Sequence, residues 1–319
     1  MIHHVFANRS NIGDWLSARG IQSLLRPLEV TEHLCDEPFV DETLTRLAQA
    51  TSDDLIVIGG GGLFMDYFEP FWAGFQAIAA RVPFCIWGVG YCDLKLEKSL
   101  PSPSLLENIV GQSSLCVVRD ELTRKYLTSC ELPDPVICPS LTVLSRPQKN
   151  GFGLLHVDNY STAGTAAYEA MCEAGLQFAA RSGRKYRATN NHIKSGSEQE
   201  LNATLALYAD SDLVLSSGLH GCVIAVATGR KVLAVSGDYK IEAFMKTAGL
   251  SDWVCGIDEL AMITERLEAL QEQPERPEFI SAARVANQTV ADAVKAIYEK
   301  APASLTCETQ RPKKDLIYA

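Results

Sequence analysis

The chain is 319 residues long, enough for two domains or one large α/β domain. Hydrophobic residues make up 47% and charged residues 21%, close to globular averages, which excludes a disordered, collagen-like or coiled-coil chain. The 29 Lys and Arg against 39 Asp and Glu leave a net charge of −10. The densest basic run is the short Arg311–Lys314, so nucleic acid is not an expected partner.

The ten cysteines contain no C-x-x-C pair, and neighbours such as Phe84 and Ile86 around Cys85 mark them as small buried hydrophobes. No metal site is expected, and the reducing cytoplasm is the expected location. The first residues, Met1 to Arg9, lack the basic start and apolar core of a signal peptide. Arg81 and Pro83 split the most apolar stretch, Phe71 to Cys92, into a helix and a strand, which argues against a membrane span.

Short apolar runs alternate with helix-length amphipathic segments, the pattern of parallel sheets covered on both faces. In the first half the strands are Ile2 to Ala7, Leu55 to Ile58, Phe84 to Val89 and Leu115 to Val118. The helices are Asp14 to Leu25, Asp41 to Ala50, Phe71 to Arg81 and Glu121 to Thr128. Turn formers crowd from Pro133 to Gly151, which sets the expected domains at 1–147 and 148–300.

A second series follows: strand Gly153 to Val157, helix Ala166 to Ser182, strand Lys185 to Ala188, helix Glu198 to Ala209. Strand Leu213 to Ser216, helix Gly221 to Thr228 and strand Val232 to Val235 complete it, followed by the stretch Ile257 to Leu270 and a proline-bounded linker. In Pro277 to Lys300 apolar residues recur at three- and four-residue steps, predicting an amphipathic terminal helix. Residues 301–319 read as a tail. The fold class is therefore α/β, with two Rossmann-like domains facing a central cleft.

Chemistry-bearing residues cluster at strand ends, where open α/β sheets bind ligands. Ser216-Ser217-Gly218-Leu219-His220-Gly221 joins a strand to a helix of small residues. Such a junction aims free backbone N–H groups and a positive helix end at an anion, and His220 can act as acid or base near neutrality. Gly59 to Gly62 ends a buried strand without the lysine of a P-loop, so it serves close approach of a ligand or chain rather than nucleotide phosphates. Asn11-Ile12-Gly13-Asp14 follows the first strand, with Asp14 either a helix cap or a ligand contact.

Arg119 closes another strand and can grip a carboxylate or phosphate, or simply pair with Asp120 at the surface. Lys240 in Asp238-Tyr239-Lys240 can hold a phosphate as a mobile charge. The loops His156 to Asn159 and Thr189 to His192 also fall at strand ends.

Taken in order, Asn11 to Asp14, Leu55 to Leu63, Val117 to Asp120, Ser216 to Gly221 and Asp238 to Lys240 with Phe244, Gly249 and Leu250 resemble the polysaccharide pyruvyl transferase family, over residues 1 to about 255. The resemblance implies a GT-B-like pair of domains and transfer of a pyruvyl group from phosphoenolpyruvate, as a ketal, to a sugar of a surface polysaccharide or cell-wall glycan precursor. Phosphoenolpyruvate is then a co-substrate and no cofactor is needed. His220 corresponds to the catalytic histidine. Arg119, Ser217, Gly218, Leu219, Gly221 and Lys240 would belong to the donor site, and Asn11, Asp14, Gly60, Gly61 and Gly62 to the acceptor site. The acceptor is expected to be nucleotide- or lipid-linked, and a lipid-linked one would bring peripheral contact with the inner face of the membrane.

One position departs from the pattern. Where the family carries arginine two residues before the histidine, this chain has Gly218, leaving Lys240, Arg230, Arg187 and Lys194 as substitute cations. Two alternatives follow. One is a GT-B nucleotide-sugar glycosyltransferase, for which Glu242 stands nearly alone where ribose hydroxyls would be held. The other is a family member with an altered donor or lost catalysis.

Overall fold

The computed structural model describes residues 1–92, 102–127, 138–148, 151–159 and 165–300. The Pro133–Pro135 turn, the tail at 301–319 and its Arg311–Lys314 run lie outside the described residues.

The first sheet contains β1 (Ile2–Phe6), β2 (Val30–Leu34), β3 (Leu55–Gly59), β4 (Phe84–Val89) and β5 (Leu115–Val118), all parallel, in the order β2-β1-β3-β4-β5. Helices α1 (Ile12–Leu25), α2 (Val40–Leu47), α3 (Glu69–Ala79), α4 (Pro103–Val110) and α5 (Glu121–Tyr126) connect and flank it. β3 and β4 are buried along their whole length, which is why they read as unbroken apolar runs.

The second sheet contains β6 (Gly153–Val157), β7 (Lys185–Thr189), β8 (Leu213–Ser216), β9 (Lys231–Ser236) and β10 (Val254–Gly256), in the order β10-β9-β8-β6-β7. These strands are again parallel throughout. Its helices are α6 (Ala166–Ser182), α7 (Glu198–Ala209), α8 (Leu219–Ala227), α9 (Tyr239–Thr247) and α10 (Ile263–Gln271), and α11 (Glu278–Lys300) follows.

Three elements were absent from the sequence reading. β2 and β10 are edge strands, and β2 keeps only His33 buried, so neither shows the apolar run of a central strand. α4 is a short helix of eight residues entered through Pro103.

Each sheet has the same order when counted from its own first strand, and in both the order reverses beside that strand: between β1 and β3, and between β6 and β8. At such a reversal the connections leave to opposite faces and open a crevice at the carboxyl ends of the strands. The two crevices face each other.

The lobes are also tied together. The Ile12 N–H donates to the Asn191 carbonyl at 3.1 Å, the Ile193 N–H to that of Ser10 at 2.6 Å, and Asn11 and His192 form an antiparallel bridge. Ile12, Trp15 and Leu16 of α1 share the core of the second sheet. α11 divides its buried face: Phe279, Ile280 and Ala283 pack with the second lobe, Val290, Ala291 and Val294 with the first. The Asn287 side chain between them accepts from the Trp87 indole at 3.1 Å, and so the terminal helix straddles both lobes.

Candidate functional site

A cleft of about 390 Å³ opens where the two crevices meet. Its wall is built from loops after β1, β2, β3, β4, β5, β6, β7, β8 and β9, all at carboxyl ends of strands. Of the expected site residues, Asn11, Asp14, Gly62, Arg119, Gly218, Leu219, His220, Gly221 and Lys240 line it together, although they are spread over 230 positions of sequence. Val157, Asp158, Asn159, Asn190 and Asn191 of the two polar loops join them.

Ser217, Gly60 and Gly61 stand behind that wall. The Ser217 hydroxyl donates to Asp158 Oδ1 at 3.2 Å and accepts from the Asn159 N–H at 2.9 Å, tying the loop after β8 to the loop after β6. Gly61, at φ +82°, lies against the Asp14 carboxylate, and a Cβ there would come within 2.3 Å of Asp14 Oδ1. The positive φ and the close approach both call for glycine.

His220 is in the first turn of α8, half-buried at the edge of the cleft. Its ring lies against Gly13 of α1, where a Cβ would fall 1.8 Å from the imidazole Cγ. The glycine of Asn11-Ile12-Gly13-Asp14 thus makes the seat for a histidine some 200 positions away in the chain. The Nε2 atom of His220 has no hydrogen-bond partner among the described residues. Burial, with Arg119 and Lys240 nearby, lowers its pKa to about 3, so the imidazole is neutral in the free cleft.

Arg119 is 3% exposed and Asp120 1%, so their contact is an interior pair rather than a surface one. Arg119 Nε donates to Asp120 Oδ2 at 3.0 Å and Nη2 to the Tyr91 carbonyl at 3.3 Å. Asp120 Oδ1 in turn accepts from the N–H and hydroxyl of Thr123 at 2.8 and 2.6 Å, which fixes the guanidinium. Lys240 Nζ pairs with Asp238 Oδ2 at 2.7 Å and donates to Cys92 Sγ at 3.2 Å. Burial lowers the Lys240 pKa, but Cys92 and Asp238 raise it by more, and the ammonium stays charged.

The other substitute cations are elsewhere. Arg230 lies in a separate pocket with Trp253 and Arg276, Arg187 pairs with Asp210 at 2.5 Å, and Lys194 is exposed outside the cleft. Glu242 does not line the cleft either. Gly218, the departing position, caps α8 without a side-chain hydrogen bond at φ −117°, and a Cβ there would meet only Asn159 Cβ at 3.7 Å. The backbone therefore tolerates a side chain at 218, and the helix start keeps its N–H groups free of a capping side chain.

Asp14 is not the cap of α1. Asn11 is, through Oδ1 and the Gly13 N–H at 2.9 Å. Asp14 is 8% exposed on the cleft wall, and burial pushes its pKa up to about 7, against the downward pull of Arg119 and Lys240.

Sequence reasoning missed Asn8, Asp36, Met65, Tyr67, Phe68 and Cys92. Asp36 follows the unrecognised β2; it accepts from Asn8 Nδ2 at 2.7 Å and from the Tyr67 hydroxyl. Cys92 follows Gly90, where a Cβ would fall 2.0 Å from Arg119 Nη2, so a glycine two residues before it was the available signal. Among the described residues no cluster of His, Cys, Asp and Glu has metal-binding spacing, and no helix is long and apolar enough to cross a membrane.

Among solved structures the chain is similar to S. aureus MnaA in its co-structure with UDP, at 10% identity and TM-score 0.59, covering 93% of this chain and 96% of that one. It is also similar to UDP-GlcNAc 2-epimerase from Methanocaldococcus jannaschii, at 9% identity and TM-score 0.55, covering 91% and 99%. These likenesses establish the GT-B-type fold. No curated protein matches the chain significantly. The family model for polysaccharide pyruvyl transferase matches residues 10–239, which contain His220, Arg119 and the strand-order reversal of the second sheet between β6 and β8. The chain belongs to the polysaccharide pyruvyl transferase family, a family of transferases.

Proposed function

We propose that the protein transfers a pyruvyl group from phosphoenolpyruvate to two hydroxyls of a sugar in a glycan precursor. The observation that carries this reading is His220: an imidazole at the edge of the cleft with an unpartnered Nε2, within the field of two buried cations, Arg119 and Lys240. Each cation already has one carboxylate partner, Asp120 or Asp238, and a donor with a carboxylate and a phosphate would add further anionic groups beside them. The free N–H groups at the start of α8 add a further anion contact. Lys240 takes over the work of the arginine replaced by Gly218.

The rest of the wall suits a carbohydrate. Asn8, Asn11, Asp36, Asn159, Asn190 and Asn191 offer amide and carboxylate groups to hydroxyls, and Tyr67, 48% exposed, offers an aromatic face. In the chemistry, the methylene carbon of the enol gains a proton, the carbon bearing the carboxylate and the phosphate oxygen becomes cationic, and two hydroxyls attack it in turn while phosphate leaves. Held neutral, His220 starts as a proton acceptor for an attacking hydroxyl. The acceptor in this reading is a nucleotide- or lipid-linked sugar, met in the cytoplasm.

Calorimetry and thermal shift test the donor site. Phosphoenolpyruvate is expected to bind and raise the melting temperature, with Arg119→Ala and Lys240→Ala each weakening binding at least ~10-fold. Stabilisation by UDP- or GDP-sugars with no response to phosphoenolpyruvate would replace this reading with nucleotide-sugar glycosyl transfer.

A further inference from the structure

A neutral His220 leaves the methylene proton without a source, and among the described residues of the cleft wall the Asp14 carboxyl is placed to supply it. Asp14 is the third residue of the α1 first turn, where a carboxylate ordinarily folds back onto the cap residue's N–H. That N–H is already taken, because Asn11 N donates to Asn8 Oδ1 at 2.8 Å. The Asp14 carboxyl makes no hydrogen bond among the described residues. It is held in place by packing against Gly61 and faces the cleft. Its neighbour in the chain, Gly13, seats the His220 ring, and both the Asp14 carboxyl and His220 line the same cleft.

Resting on the pyruvyl-transfer reading, we infer that Asp14 is a second catalytic residue, the acid that protonates the methylene carbon of the donor while His220 accepts the proton of the first attacking hydroxyl. The charged and titratable groups around it are Arg119 at the end of β5, Lys240 on α9, Asp36 after β2, His220 on α8, and Cys35. Among them, burial brings Asp14 up to about 7 and His220 down to about 3, which separates one acid from one base. An anionic donor offsets the pull of Arg119 and Lys240 and holds the proton on Asp14 more firmly.

The protons balance. The Asp14 O–H bond breaks as a C–H bond forms, and the C=C electron pair becomes that bond, leaving the adjacent carbon cationic. The first hydroxyl oxygen bonds to that carbon and its proton passes to His220. The imidazolium gives this proton to the bridging oxygen as the C–O bond to phosphate breaks. The second hydroxyl then bonds to the same carbon and its proton returns to Asp14. Both residues are restored, and the two hydroxyl protons account for the new methyl hydrogen and the one on phosphate.

The test compares wild type, Asp14→Asn and Asp14→Glu under saturating phosphoenolpyruvate with a sugar acceptor. Asp14→Asn is expected to lower kcat ~100-fold or more while the calorimetric Kd for phosphoenolpyruvate stays within about threefold, and Asp14→Glu to recover part of the rate. The wild-type kcat/KM is expected to fall above about pH 7, a limb missing in Asp14→Asn. Wild type minus Asp14→Asn infrared difference spectra are expected to contain a protonated-carboxyl band at pH 6 that is gone at pH 9. Pyruvylation by wild type with near-normal kcat in Asp14→Asn would overturn the inference and leave the function standing. A wild type that forms no pyruvylated product would overturn both.

Discussion

The two lobes have the same parallel strand order and the same reversal beside their first strand, yet they bring different chemistry to the cleft. The first lobe contributes two carboxyls, amides and a fixed guanidinium: Asp14, Asp36, Asn8, Asn11 and Arg119. The second also brings a carboxyl and amides, Asp158, Asn159, Asn190 and Asn191, but in place of the guanidinium it contributes an imidazole, an ammonium and an uncapped helix start: His220, Lys240 and the first turn of α8. A shared frame decides where ligands sit, and loop residues decide what they are. Neither lobe is sufficient alone, because the His220 ring rests on Gly13 and Arg119 adds to the burial that keeps the ring neutral.

Removing the second lobe's imidazole is the harshest way to break that division. His220→Ala is expected to lower turnover at least ~1,000-fold at an unchanged circular dichroism spectrum. Retained turnover would remove His220 from the chemistry. Gly13→Ala attacks the seat from the other lobe: the new methyl displaces the ring, and a loss of ~100-fold in kcat is expected together with a lowered melting temperature. A fully active Gly13→Ala would mean the ring position is not set by this contact.

Asp14 sharpens the comparison through stability. Its folded pKa of about 7 lies above the unfolded value near 3.8, so the folded state binds more protons between those limits and wild-type stability falls as pH rises through them. Asp14→Asn is expected to exceed wild type by a few kcal/mol at pH 8, several degrees in Tm, and to match it below about pH 4. Equal melting curves at pH 8 would show that the carboxyl is not strained by burial.

Gly218→Arg restores the arginine of the family pattern on a backbone with room for it, and is expected to tighten phosphoenolpyruvate binding ~10-fold. If it creates activity in a parent that has none, the parent has lost catalysis or uses another donor. The smallest effect is expected for Ser217→Ala, which unties the loops after β6 and β8 at about 1 kcal/mol, read by denaturant melts.

Most strands and helices were legible because buried parallel strands such as β3 and β4 are apolar runs that need no partner to be recognised. β2 and β10 were not, since an edge strand buries little and carries little pattern. The same omission hid Asp36, which follows β2, and with it the Asn8 and Tyr67 contacts. His220, Arg119 and Lys240 could be found from strand-end placement, but Arg230 and Arg187 were equally cationic on paper, and only the fold separates them from the cleft. Asp14 was read as cap or ligand contact because one-dimensional spacing does not show that Asn11 already caps the helix.

The central claim is that the two crevices together hold an anionic enol donor against a sugar. Incubating the protein with phosphoenolpyruvate and a panel of nucleotide- and lipid-linked sugars, then measuring phosphate release and product mass, tests it most directly. The account predicts equimolar phosphate and a pyruvyl ketal on one acceptor class. Glycosyl transfer from a nucleotide sugar, with phosphoenolpyruvate left intact, would contradict it.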